Sequence, residues 1–174
     1  MAVVFWNDLN DELVDTFATA MGTSSAYATM KAATINDRIF ADAHEWVTWT
    51  LPAVSVACYR VLYNPYGHVG TTKKLYERTY KCAAFGLISG AVNYLATTPV
   101  DTLSDSLREY YERVESVLST NQFSFTSAGV QCRSVTITAG DLDVIRYPTD
   151  DIDSTRRIGI AYFTFDVIAK VNPT

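Results

Sequence analysis

Leu9, Leu13 and Phe17 recur every four residues, with Val14 and Met21 beside them. That spacing predicts a helix with one apolar stripe. Asn7 or Asp8 can cap it by accepting from the free N–H groups of the first turn. Asp8, Asp11 and Glu12 place negative charge at the positive end of the helix dipole, and Gly22 is a natural stop. A second helix is predicted where Leu103, Leu107, Tyr110, Tyr111, Val114, Val117 and Leu118 form a broad apolar face. Glu109, Glu112, Arg113 and Glu115 lie mainly toward water. Thr102 and Asp105 have capping-box spacing at its start. Such a helix is expected to cover one face of a sheet.

Between and after the helices the period changes to two. Leu51-Pro52 opens a strand over 53–62, with Pro tolerated at a strand start. Asn64-Pro65-Tyr66-Gly67 carries turn chemistry, and a polar loop is expected to run on to Lys74. A second strand follows from Leu75 to about Ser89, solvated at one end and apolar at the other. Residues 130–138 predict a third strand, Ala139-Gly140-Asp141 a turn, and 142–147 either a continuation or a short strand. After an exposed loop at 148–154, Arg156 to Val171 reads as a long strand, apolar on both sides. It belongs in the middle of a sheet or at an interface. The order α-β-β-α-β-β predicts an α+β fold: one domain over residues 1–174, a mainly antiparallel sheet covered by one or two helices. Periodicity is weak at 23–49, which reads as an extended arm or long loop with at most a short strand or helical turn. A structureless stretch of that length is uncommon inside a compact domain, so the arm is expected to pack on a neighbouring subunit.

Composition narrows the function. Of the 174 residues 48% are hydrophobic, too many for a disordered chain. Eleven Tyr suit interfaces and half-wet surfaces. The 14 basic residues are scattered and outnumbered by 19 acidic ones, so a basic footprint for gripping a duplex is absent. Cys58, Cys82 and Cys132 are widely spaced within predicted strands and are expected to be buried free thiols in a reducing compartment. Without a CxxC or Cys/His cluster, a zinc site is not expected. The N-terminal Met-Ala-Val-Val-Phe-Trp-Asn-Asp lacks the character of a signal peptide, and no apolar run reaches the length of a membrane span. The expectation is a soluble protein made in a cytoplasm.

Candidate chemistry is sparse. A hydrolytic triad needs a histidine, and the chain has only His44, next to Glu45, and His68, in a Gly-flanked loop. The run Gly67 to Lys74 has glycines and lysines but not P-loop spacing. Asp141, Asp143, Asp150, Asp151 and Asp153 lack the Gly and terminal Glu of a calcium loop. Neither a catalytic residue nor a cofactor is expected.

Several segments taken together carry a resemblance. They are the N-terminal helix, a Leu-Pro-Ala-Val-Ser-Val strand, a Tyr-Glu-Arg-Thr-Tyr-Lys-Cys-Ala-Ala-Phe strand, one amphipathic helix and the final Arg-Arg-Ile-Gly-Ile-Ala-Tyr-Phe-Thr-Phe-Asp-Val strand. In this order they resemble tail terminator, or tail-completion, proteins of long-tailed bacteriophages. The likeness covers most of the chain but lies in element order and strand flavour. The longer 23–49 segment departs from the usual small member. The resemblance implies a virion protein of the neck, assembled in the host cytoplasm as a hexameric ring on the last tail-tube ring. It would end tube growth and face the head-side connector protein while DNA passes through its lumen. The partners implied are copies of itself, the tail-tube protein and the connector; DNA is only in transit and no membrane is involved. On this reading Leu9, Leu13 and Phe17, or the 23–49 arm, contact neighbours. Gly67, Lys73, Lys74, Glu77, Arg78 and Lys81 line the ring or touch the tube. Two alternatives are another neck or tail subunit, such as a head-closure or tube protein, and a small ligand-binding α+β domain, which requires a pocket with converging polar groups.

Overall fold

The run Arg156–Val171 is a strand along its whole length, buried on both faces at 158–161 and on alternate residues beyond. It lies in the interior of the sheet, as its two-sided apolar pattern requires. The structure, a computed structural model, describes residues 2–26, 30–69, 73–120, 126–127, 130–151 and 154–171. In chain order the elements are α1 (Ala2–Met21), β1 (Thr34–Asn36), α2 (Ala43–Trp46), β2 (Ala53–Val69), β3 (Lys73–Asn93), β4 (Val100–Asp101), α3 (Ser104–Thr120), β5 (Thr126–Ser127), β6 (Val130–Arg146) and β7 (Arg156–Val171). The sheet order is β1-β2-β3-β7-β6-β5, with β4 on the end of β3. Only β1 pairs in parallel. The fold is α+β, as expected, and its frame is four long antiparallel strands.

The two long helices, α1 and α3, pack on one face. Leu9, Leu13, Phe17 and Met21 of α1 and Leu107, Tyr110, Val114, Val117 and Leu118 of α3 are buried over Val56, Cys82, Ala84, Phe163 and Phe165. Fully burying one such side chain contributes about 1.5–3 kcal/mol. The floor under α3 is made of small residues. One sheet row runs Val56–Ala84–Phe163–Gly140, and two of its neighbours on this face are Gly86 and Gly159. A Cβ on Gly86 would lie 2.8 Å from the Tyr110 ring, and one on Gly159 3.0 Å from Leu107. The glycines thus form a trough in which α3 sits close to the backbone.

Four boundaries differ from the sequence reading, each for a physical reason. Ala139-Gly140-Asp141 is not a turn; β6 runs through it with a bulge between Ile137 and Ala139. Gly140 is there because the Tyr111 hydroxyl occupies the place of a Cβ, its ring stacked on Phe163 at 4.5 Å. Asn64-Pro65-Tyr66-Gly67 is not a turn either. β2 continues to Val69, with an irregularity between Pro65 and Gly67, the kind of site where an edge strand accepts proline. The helix caps also move. α1 starts at Ala2, ahead of Asn7 and Asp8, because Trp6 and Asn10, one turn apart, both anchor it to β2. At α3 the side chain of Asp101, rather than the Thr102/Asp105 pair, accepts from Leu103 N at 3.0 Å and Ser104 N at 2.9 Å. Tyr94 also donates to it. Hydrogen bonds from Ser104 and then Tyr94 hold this carboxyl far below the usual carboxylate range. Gly22 ends α1 as expected, its N–H bonded to Ala18 O at 2.9 Å.

The segment predicted as an arm folds back on its own sheet. β1 pairs with β2 at 53–55. Asp42 caps α2 by accepting from His44 N and Glu45 N. Trp46, Val47, Trp49 and Leu51 then cover part of the face opposite the two long helices, over Leu87, Ile158 and Ile160, and Ile39 packs on Ala57 and Ala83. Trp46, Phe85 and Tyr162 stack in a row, with centroids 6.2 and 4.8 Å apart. Residues 37–52 are therefore a strap that closes a second core within the chain.

Gly86→Ala tests the trough. A strand glycine with free space gains stability on becoming alanine. Here the methyl meets Tyr110 and Val114, so a loss of about 1–3 kcal/mol in urea unfolding is expected.

Candidate functional site: two open sheet edges

A sheet edge exposes unpaired N–H and C=O groups, and folded proteins blunt it or use it. On the β2 side the edge is closed in part. β1 covers it at 53–55. At the bulge after Cys58, α1 takes over: Trp6 Nε1 donates to Cys58 O at 3.2 Å and Asn10 Oδ1 accepts from Cys58 N at 2.9 Å. From Arg60 to Val69 no strand among the described residues pairs with this edge. On the far side, β5 covers β6 only at Val130 and Gln131. From Cys132 to Arg146 the outer edge of β6 has no strand partner among the described residues.

The two edges differ in character. Along β6, acidic Asp141 and Asp143 alternate with Leu142 and Val144, which are 45% and 46% exposed. Apolar side chains so exposed on an unpaired strand are unusual in a chain that stays alone. Along β2, Arg60 is exposed, and Tyr59 and Tyr63 are 40% and 55% exposed. The Arg78 guanidinium lies 5.4 Å from the Tyr63 ring centroid and donates to Tyr80 at 3.2 Å. One edge is thus acidic and aliphatic, the other aromatic with arginine.

The residues singled out from the sequence are distributed differently from expectation. Leu9, Leu13 and Phe17 are fully buried. They belong to the chain's own core. Strand alternation puts Glu77 and Lys81 on the face opposite the helices and Arg78 on the helix face. Lys81 is paired with Asp166 at 2.6 Å. Gly67, Lys73 and Lys74 lie on the backbone of the β2–β3 hairpin; their surroundings, like the side chain of Cys132 and all of Asp153, fall outside the described residues. Cys58 and Cys82 are buried, and neither is in a disulfide. His44 is exposed, and the adjacent Glu45 pairs with Arg38 at 3.1 Å instead. Asp150 bonds Ser154 and Arg156 in an open hollow with Thr149 and Asp151. No group of three potential metal ligands occurs among the described residues, and no helix among them is long and apolar enough to cross a membrane.

The edges themselves were missed. A signal was present in Asp141-Leu142-Asp143-Val144, whose alternation marks a half-exposed strand, but Gly140 beside it suggested a turn. No protein-family model matches the chain, and no curated protein is significantly similar to it.

The α1 clamp on β2 is testable. Asn10→Ala leaves the Cys58 N–H without its partner, and a loss of about 1–3 kcal/mol is expected. The Cys58 amide should lose hydrogen-exchange protection, whereas Asp11→Ala on the exposed side of α1 should change stability by less than about 0.5 kcal/mol.

Proposed function

We propose that the chain is a structural subunit of a phage tail neck, a terminator-like protein that works by closing into a ring with copies of itself. The observation that carries this reading is the pair of open edges. β2, β3, β7 and β6 alternate in direction, so β2 and β6 run opposite ways. When β6 of one copy meets β2 of the next by rotation about an axis along the strands, the alternation continues without a break. Such a contact uses different patches on the two copies, and repetition of it gives a closed ring or an open filament. Asp141 and Asp143 on one edge and Arg60 on the other favour that pairing over β6 against β6, which would bring like charges together.

In this reading the ring sits on the last tail-tube ring and meets the head-side connector, and DNA passes through it in transit. The part of the sheet face left open by the 37–52 strap carries Thr136, Thr138, Thr164, Asp166 and Lys81. It suits a lumen, because Lys81 is already paired with Asp166 and attracts phosphate weakly. The function is assembly, with no reaction catalysed and no cofactor used.

The test is native mass spectrometry over a concentration series, with Leu142→Lys plus Val144→Lys as the edge variant. The wild type should form a hexamer or another closed ring. The variant should stay monomeric with unchanged circular dichroism, since both positions are exposed and lysine protects an edge. A wild type that remains monomeric, or that stops at a dimer, overturns the pairing of β6 with β2.

A further inference from the structure

Cys58 and Cys82 are register partners across β2 and β3. Opposed residues of antiparallel strands stand about 4.5 or about 5.5 Å apart at Cα, and both values fall within the roughly 4.4–6.8 Å that a disulfide spans. Both side chains point to the helix face, where each is at most 4% exposed. Cys58 Sγ lies 3.4 Å from Arg60 O and Cys82 Sγ 3.6 Å from Tyr80 O. The ladder shifts between Cys58 and Arg60, so the pair sits beside a bulge, where the pairing of the two strands is locally interrupted. Neither cysteine is in a disulfide.

We infer that Cys58 and Cys82 form a dithiol that the fold holds ready to close into a cross-strand disulfide on exposure to a low-molecular-weight disulfide. Cys58 is the attacking group, being on the outer strand. A side-chain hydrogen bond with Cys82 holds its pKa down against the upward push of burial, which favours the reactive thiolate. The Cys58 thiolate attacks one sulfur of the reagent, RS–SR. The S–S bond breaks, one RS⁻ leaves, and Cys58 carries –SR. The Cys82 thiol gives up its proton and attacks Cys58 Sγ, expelling the second RS⁻. Two thiols are oxidised to one disulfide, and RS–SR is reduced to two RSH once the two released protons are taken up. The inference holds whether or not the chain forms a ring.

Glutathione disulfide is the probe. The folded Cys132→Ser variant is incubated with it, quenched in acid, and analysed by intact mass and peptide mapping. The wild type is run alongside, so that the link is read by peptide mass even if the variant fails to fold. The expected result is loss of two hydrogens and a peptide joining Cys58 to Cys82, reversed by reductant. In Cys82→Ser the first step should stop as a glutathione adduct on Cys58. Two free thiols after incubation, a lasting glutathione adduct in a chain that keeps both cysteines, or a link to Cys132 would each overturn the inference.

Discussion

The central ladder pairs β3 with β7 through sixteen consecutive partners, from Tyr76↔Val171 to Ala91↔Arg156, without a shift in register. The ladders on either side, β2–β3 and β6–β7, each contain two shifts. This distribution follows from burial. A one-residue slip in β7 would exchange the residues under the helices with those under the strap, putting Ile158 and Ile160 where Gly159 and Ala161 make room for α3. The outer strands have one side open, so they absorb the twist in bulges.

The two faces of the ladder are sized for what covers them. Under α3 the residues are small, Ala84, Gly86, Gly159 and Ala161, so the helix approaches the backbone and Tyr110 reaches across to donate to Ala53 O at 3.1 Å. Burial pushes the Tyr110 hydroxyl pKa well up, so it remains a donor throughout the physiological range. On the other face Phe85, Leu87, Ile160 and Tyr162 are large, and an irregular strap with single aromatic plugs suffices to cover them. A regular helix there would need a second trough.

Periodicity made α1, α3, β7 and the α+β class legible, because those elements each bury one period-matched set. Gly140 and Pro65 misled for a common reason: both residue types usually signal turns. Here Gly140 makes room for Tyr111, and Pro65 lies at an irregularity in an edge strand. The strap escaped because Ile39, Trp46 and Trp49 come from a turn, a four-residue helix and a bend, and share no period. The stripe of Leu9, Leu13 and Phe17 was visible, but a stripe does not reveal whether the surface above it belongs to the same chain. The edges were hidden more deeply, since openness is a property of what neighbours a strand, and no residue type encodes it.

On the ring reading, the offset between the open edges matters as much as their presence. Val61, Tyr80, Val167 and Val135 lie on one row across the sheet. The open part of β2, from Arg60 to Val69, extends from this row toward the hairpin. The exposed part of β6, with Leu142 and Val144, extends from it the opposite way. The β2 backbone level with Leu142, at Val54, is already closed by β1, and α1 closes the next stretch at Cys58. A neighbouring β2 can therefore add to the exposed part of β6 only by sliding along the strand direction. A stagger of this kind between successive sheet segments is what a closed, tilted-strand arrangement needs, and an unstaggered junction would favour a flat ribbon. On this reading the cover over 53–58, made by β1 and by the clamp of Trp6 and Asn10, directs a neighbour to the staggered junction.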